Sequence, residues 1–445
     1  MSKQRVQWSS KSGFIFATIG SAIGLGNIWR FPTAAGQSGG GVFVVIYLII
    51  IFIIGIPLMI GELSIGRKGK RNIVSCFKQI KPNGSWWFIG ALGVFTGFVI
   101  LSFYSVISGW SLAYLYHFLL GSFMGASGQE IEAIFNNLVG HPFIPLFWHG
   151  LFVILTISIV LSGIEKGIEK FSKILMPILL VLLVLLAIRS VTLDGALEGV
   201  WWLLRPDFEM LSLGLVLGAL GQVFFSLSLG MGALITYGSY LSDKENIPQS
   251  AMIISFSDLA IAIVAGLIII PAVFSFGLEP TMGPPLIFLT LPLVFGALPL
   301  GSFFGGLFFL LLSIAAITSA ISLLEVTVAY FIEAKLWRRK KASFIAGCIV
   351  FVLGIPSSLS RGLLSEQLIL GMPFLDFMDS LSSKLLLPLA GLLTALFIGW
   401  VWTPKESLHE IKKEGSIFTL EKPWALAVKF LLPVALLYIL ITGLL

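Results

Sequence analysis

Two stretches of this chain set small and polar residues where an apolar helix would otherwise continue. One is Gly20-Ser21-Ala22-Ile23-Gly24-Leu25-Gly26-Asn27. The other is Gly221 followed by Ser226-Leu227-Ser228-Leu229-Gly230-Met231-Gly232. Glycine weakens a helix by about 1 kcal/mol per residue relative to alanine, so both stretches invite a break. A break frees backbone carbonyls, and serine, threonine and asparagine side chains add further oxygens. Such oxygens, converging in a small cage, are what a dehydrated sodium ion needs. Asp258 lies inside another apolar run. A carboxylate in the membrane costs about 2.5–3.5 kcal/mol on insertion scales, which makes it a functional candidate. The plainer alternatives are glycine used for close helix packing and hydroxyls bonded back to the preceding turn. Either alternative suits one segment taken alone. The matched pair, with its hydroxyls and asparagine, favours a site.

Other chemistries find no support in the residues. His117, His141, His149 and His409 have no metal-ligand spacing. Cys76 and Cys348 form no disulfide framework, since one falls in a basic loop and the other in an apolar run. There is no Walker loop, nucleophile motif or HExxH motif, so an enzyme is the least expected class. The net charge of +6 comes from short basic loops and does not imply nucleic-acid binding.

The elements that must position these residues are membrane helices. The chain is 57% hydrophobic and 11% charged, too apolar for a soluble domain. Runs long enough to cross a hydrocarbon core of about 30 Å recur along its whole length. Eleven spans are expected, at 13–36, 41–66, 87–121, 144–162, 171–190, 214–240, 248–277, 302–334, 343–360, 373–402 and 424–444. The first is read as a retained helix, being too long and glycine-rich for a signal peptide. A proline-broken stretch at 284–298 is read as a re-entrant or lid segment. No polar stretch divides the chain, so residues 1–445 form a single domain. Lysine and arginine concentrate in the N-terminal tail, in the loop after span two (Arg67, Lys68, Lys70, Arg71, Lys78 and Lys81) and in alternate loops thereafter. That asymmetry places the N-terminus in the cytoplasm.

The two interrupted spans are the first and the sixth. Five is an odd number of spans, so the second half must be inverted relative to the first. Residues 13–190 then form one five-helix repeat, 214–402 its inverted partner, and 424–444 an extra helix. Breaks at matching places in inverted halves point to a transport site at the bilayer midplane.

These residues resemble the neurotransmitter:sodium symporter family, in particular its bacterial amino-acid branch. The resemblance covers spans one to ten. It is carried by Gly24-Leu25-Gly26-Asn27-Ile28-Trp29-Arg30-Phe31-Pro32, and by Gly55-Ile56-Pro57-Leu58 with Glu62 and Gly66-Arg67. Gln222-Val223-Phe224-Phe225-Ser226-Leu227-Ser228 and Ile317-Thr318-Ser319 complete it. Such symporters are themselves among the examples behind the interrupted-helix rule, so rule and resemblance are not independent.

The resemblance implies an all-α fold of five-plus-five inverted repeats with helices one and six unwound. It also implies two sodium sites. The first would use the Ala22 carbonyl, Asn27, Ser226 and Asp258, with the substrate carboxylate as a further ligand. The second would use carbonyls of Gly20, Ile23 and Ala315 with the hydroxyls of Thr318 and Ser319. An amino-acid carboxylate would meet the amides near Leu25 and Gly26 and the phenol of Tyr104. Relatives that carry amines place an aspartate where this chain has Gly24, so glycine here implies substrates that bring their own carboxylate. The side-chain pocket would be lined by Ile100, Phe225, Ser228, Met231 and Leu323, beside Ala22, Ser226 and Ser319. Its apolar character implies hydrophobic or aromatic substrates. Met231, with its adaptable thioether, implies a broad range including tryptophan and tyrosine. Asp258, with Ala262 where chloride-dependent relatives have serine, implies chloride independence. The outer gate would pair Arg30 with Asp379, Asp376 being the rival. The inner gate would pair Arg5 with Glu333, helped by Trp8 and Tyr240.

The expected protein is therefore a sodium-coupled importer of hydrophobic L-amino acids, working by alternating access in a bacterial inner membrane as a monomer or weak dimer surrounded by lipid. Two other readings stand beside it. One is a sodium-dependent amino-acid sensor. The other is a proton-coupled amino-acid transporter of the same architecture, against which Thr318-Ser319 count.

Overall fold

Lipid offers the backbone no hydrogen-bond partner, so each spanning segment must satisfy its own polar groups as helix. The computed structural model describes residues 6–278 and 286–444. Among these, nine helices are long and apolar enough to cross a membrane: Gly41–Gly69, Trp87–Leu119, Ile144–Leu161, Ile164–Val191, Ile247–Ser275, Gly301–Ala334, Arg339–Leu359, Phe374–Val401 and Glu421–Gly443. They are spans two to five and seven to eleven. Span five starts earlier than expected, in a π-helical turn, Ile164–Glu169, whose Glu165, Lys166 and Glu169 mask it as loop.

The remaining two spans are the broken ones. Span one is the pair Lys11–Ala22 and Gly26–Gln37, bent by 46°. Ser10 starts it by accepting a hydrogen bond from the Gly13 N–H at 3.0 Å. Its first half ends at Ile23, which turns to an extended conformation (φ −82°, ψ 105°). Span six consists of Leu213–Ser226 and the short helix Ala233–Gly238. The first of these has 14 residues. At about 1.5 Å per residue that is roughly 21 Å, short of a complete crossing. Between the halves, Ser228, Gly230 and Gly232 take φ of 55°, 75° and 81°, which no helix continues through. Gly230 is also a place of close approach, since a Cβ there would lie 2.7 Å from the Leu387 carbonyl oxygen.

Spans three and eight form the centre of the bundle. Of their apolar windows 78% and 83% are buried, against 33% for span five and 39% for span eleven, which turn much of their surface to lipid. The first half of span one packs against spans eight, five and seven. In the expected lid segment, Pro284 and Pro285 lie outside the described residues. The rest is a π-turn, Leu286–Thr290, followed by the helix Leu291–Ala297. It is tied to span three by the Tyr114 phenol, which donates to the Phe288 carbonyl at 2.7 Å.

One basic residue read as loop charge is fully buried. Arg67, at the end of span two, holds Glu410 through Nε–Oε1 at 3.0 Å, with side-chain exposures of 0% and 1%. Its Nη1 donates to the Glu245 carbonyl at 2.7 Å and its Nη2 to the Glu410 carbonyl. The contact joins span two to the short helix Pro404–Ile411. Close by, Asp243 lies 3.1 Å from Lys70 and 3.5 Å from Lys413. Partial burial raises its pKa, but hydrogen bonding and charge from these two lysines outweigh it and leave the carboxyl below its usual range. Removing one partner of a buried ion pair costs about 3–5 kcal/mol, whereas replacing both with apolar residues often costs little. Glu410→Ala should therefore lower the thermal unfolding midpoint in detergent sharply. The double variant Arg67→Met/Glu410→Leu should recover most of that loss. Equal midpoints for wild type and Glu410→Ala would remove the pair from the stability account.

Candidate functional site

The two breaks face one another at a buried cavity. It is lined by Ser21, Ala22, Gly24 and Gly26 of span one, Ile100 and Tyr104 of span three, Phe225, Ser228 and Met231 of span six, and Ser319 and Leu323 of span eight. All of these except Phe225 are buried. The space open to water centres is about 20 Å³, little more than one water needs. A larger ligand requires the walls to part.

Polar groups cluster towards the breaks. The Leu25 N–H donates to the Tyr104 phenol oxygen at 3.1 Å, so the two groups expected to meet a carboxylate are neighbours. A Cβ on Gly24 would collide with Ser319 Oγ and lie 2.6 Å from Tyr104 Oη. Ile100, Met231 and Leu323 add apolar side chains to the lining.

Asp258 centres the first candidate cation cage and is fully buried. Asn27 Nδ2 donates to Asp258 Oδ1 at 2.7 Å, and Ser226 Oγ lies 2.6 and 2.8 Å from the two carboxylate oxygens. The Tyr47 phenol lies 2.9 Å from both Asp258 Oδ2 and Ser226 Oγ. Every one of these partners is neutral. Among the described residues Asp258 has no salt bridge, so an ionised carboxylate at this position would need a cation beside it.

The second candidate cage lies where span eight meets the break in span one. The Ser319 hydroxyl lies 3.3, 3.1 and 3.2 Å from the carbonyl oxygens of Gly20, Ser21 and Ile23. A hydroxyl has one proton to donate, so it can satisfy only one of the three at a time. Thr318 Oγ1 bonds back to Ala315 O at 2.9 Å and to Ile314 O at 3.2 Å, as hydroxyls in spans commonly do.

Charged and aromatic groups close both ends. At one, Arg30 Nη1 pairs with Asp379 Oδ1 at 3.0 Å, and its guanidinium lies 4.8 Å from the centre of the Phe225 ring. Phe225 stands 6.5 Å from the Tyr104 ring. The rival Asp376 pairs with Arg361 at 3.2 Å. At the other end, the Trp8 N–H and indole N–H donate to the carbonyls of Tyr240 and Tyr237, both at 3.1 Å. Tyr240 donates to Glu325 at 2.8 Å, and Glu325 also pairs with Arg339. Arg5 lies outside the described residues. Glu333 accepts from the Asn72 backbone and side-chain amides at 3.0 and 2.8 Å.

Several participants had no role in the site assigned from the sequence. Tyr47 sits in an otherwise apolar run, and that polar tip was the only signal it gave. Gln222 donates to the Gly26 carbonyl at 2.6 Å, bridging the two broken spans. Glu62 is fully buried and accepts from the Gly230 N–H at 2.8 Å. The rule that singled out Asp258 would have found Glu62 as well. Ser21 and Ser322 form a buried pair at 2.7 Å across spans one and eight.

The chain is similar to known proteins over nearly all of its length. The model of the sodium:neurotransmitter symporter family matches residues 5–126 and 139–445. The chain is 41% identical over 443 residues to YhdH, an uncharacterized sodium-dependent transporter of Bacillus subtilis, covering 99% of this chain and 98% of that one. It is 38% identical to an uncharacterized sodium-dependent transporter of Haemophilus influenzae, with 99% of each covered. The crystal structure of MhsT in complex with L-phenylalanine superposes with a TM-score of 0.92 at 46% identity, covering 99% of this chain and 100% of that one.

Proposed function

Since the chain belongs to the sodium:neurotransmitter symporter family, we propose that it imports hydrophobic and aromatic L-amino acids together with sodium, independently of chloride. The observation that carries this reading is the buried cavity between the two broken spans, lined partly by apolar side chains and flanked by oxygen clusters centred on Asp258 and Ser319. The phenylalanine bound to MhsT, at 46% identity, supports the substrate class.

In this reading the substrate carboxylate displaces Tyr104 from the Leu25 amide and shares the cage of Ala22, Asn27, Ser226 and Asp258 with one sodium ion. That shared oxygen makes each ligand improve the other's site. A second ion sits among Gly20, Ile23, Ala315, Thr318 and Ser319. The side chain of the amino acid parts Ile100, Met231 and Leu323. Opening to the outside breaks the Arg30–Asp379 pair and swings Phe225 away. Opening to the cytoplasm releases Trp8 and Tyr240, together with an Arg5–Glu333 pair. The repeats 13–190 and 214–402 supply the moving parts, with spans one, two, six and seven rocking against the rest.

A binding screen of the twenty amino acids in sodium and in choline tests the reading. Tryptophan, tyrosine, phenylalanine and large aliphatic residues should bind in sodium and lose binding in choline. Equal binding in choline, or preference for a charged amino acid, would overturn it. Counterflow of labelled phenylalanine in proteoliposomes separates a transporter from a sensor.

A further inference from the structure

Four serine hydroxyls connect the second candidate cation cage to the substrate cavity. Ser21, Ser228, Ser319 and Ser322 are all buried, and they come from spans one, six and eight. Ser319 Oγ lies 3.1 Å from the Ser21 carbonyl. The Ser228 hydroxyl donates to that same carbonyl at 2.9 Å. The Ser21 hydroxyl donates to Ser322 Oγ at 2.7 Å and lies 3.2 Å from Ser228 Oγ. Ser322 donates in turn to the Ser319 carbonyl at 2.8 Å. Ser21, Ser228 and Ser319 line the cavity, and Ser322 is joined to two of them by hydrogen bonds.

Each hydroxyl has a single proton, so the directions of these bonds are interdependent. Without ligands, the Ser319 proton can choose among the carbonyls of Gly20, Ser21 and Ile23 and the Tyr104 phenol oxygen. A cation held by Gly20 O, Ile23 O and Ser319 Oγ, with Tyr104 turned to the substrate carboxylate, removes three of those choices and turns the proton to the Ser21 carbonyl. That carbonyl then takes two donors, Ser319 from span eight and Ser228 from span six. The Ser21 hydroxyl, anchored on Ser322, keeps the break in span one against span eight. Ser228 holds φ of 55° without being glycine, a strained conformation that persists only where its surroundings fix it.

Resting on the sodium-coupled reading above, we propose that Ser21 and Ser322 are positioning residues that couple the second sodium site to the amino-acid pocket. The coupling adds to that through the carboxylate shared with the first site. It works because ion binding fixes the hydroxyl directions that hold Ser228 and the unwound stretch of span six at the cavity wall.

Coupling is a ratio, and the test measures that ratio. The affinity for labelled phenylalanine is measured by equilibrium binding from low to saturating sodium in wild type, Ser322→Ala, Ser21→Ala and Ser322→Thr. Wild type must bind more tightly as sodium rises; if it does not, the transporter reading itself fails. In Ser322→Ala the gain in affinity between low and saturating sodium should shrink about fivefold, the size of one net buried hydrogen bond. The loss should fall at the saturating end. Ser21→Ala should shrink the gain in the same way, and Ser322→Thr, which keeps the hydroxyl, should retain it. Linkage requires the sodium affinity measured with and without phenylalanine to lose the same factor. A wild-type sodium response in Ser322→Ala would overturn the proposal. So would an equal loss of affinity at every sodium concentration, which marks a wall residue and no coupling.

Discussion

Gly24→Asp should lower the affinity for phenylalanine by more than about 100-fold. The site offers no room for any side chain at this position, because a Cβ would strike Ser319 Oγ and sit 2.6 Å from Tyr104 Oη. Overpacking of this kind costs about 1–3 kcal/mol. An aspartate adds a second carboxylate where the substrate's own must bind, and juxtaposed like charges cost several kcal/mol more. At about 1.4 kcal/mol per decade the combined penalty exceeds two decades. Gly24→Ala carries the steric penalty alone and should lose roughly 5- to 100-fold. The gap between the two variants is the electrostatic part. Equilibrium binding of labelled phenylalanine measures both. Near-wild-type affinity in Gly24→Asp would move the substrate carboxylate elsewhere.

The spans were legible in the sequence because the solvent for their outer faces is lipid. An apolar run of about 20 residues admits few other structures. The breaks were legible because glycine clusters contradict such a run, and the structure opens both spans there. Span five lost its first turn to Glu165, Lys166 and Glu169: the first two are exposed, and the third pairs locally with Lys173 at 2.7 Å while its other partners are distant in sequence. Glu169 is held by the Ser9 and Ser10 hydroxyls at 2.6 and 2.9 Å, 160 and 159 residues away in sequence. Arg67 was mistaken for loop charge because its partner Glu410 stands 343 residues away. Asp376 and Asp379 lie three residues apart on one helix, so periodicity could not choose between them. The choice turns on Arg361, which takes Asp376 and leaves Asp379 facing Arg30.

A similar limit governs the candidate site. Residue types at the breaks announced oxygen chemistry, and the resemblance supplied a set of ligands. What neither supplied is how spans satisfy one another. Tyr47 reaches Asp258 across 211 residues, Gln222 reaches Gly26 across 196, and Ser21 reaches Ser322 across 301. Tyr47 and Gln222 are each a lone polar residue amid apolar neighbours. Such a residue signals that a partner exists without naming it. Buried polar groups are almost always paired, so the right question of Tyr47 was which group it pairs with.

Asp258→Asn carries the second large effect, and it separates charge from ligation. Asparagine keeps an oxygen for the cage and removes the negative charge. Opposite charges about 4 Å apart attract by about 4 kcal/mol at an effective dielectric of about 20. Loss of that attraction should weaken sodium binding by at least about 100-fold and stop uptake in gluconate medium. The donors left behind point to the remedy. Asn27, Ser226 and the Tyr47 phenol, at 2.7, 2.6 and 2.9 Å, converge on the carboxylate oxygens and would suit an anion in their place. Chloride should therefore restore part of the uptake in Asp258→Asn and leave wild type unaffected. Ala262, one helical turn beyond Asp258, offers no hydroxyl to that anion. The double variant Asp258→Asn/Ala262→Ser should consequently respond to lower chloride than the single one. Uptake in proteoliposomes with chloride replaced stepwise by gluconate reads all three. A wild type that itself needs chloride, or an Asp258→Asn variant that chloride cannot rescue, would show that the carboxylate does not act as a built-in counterion.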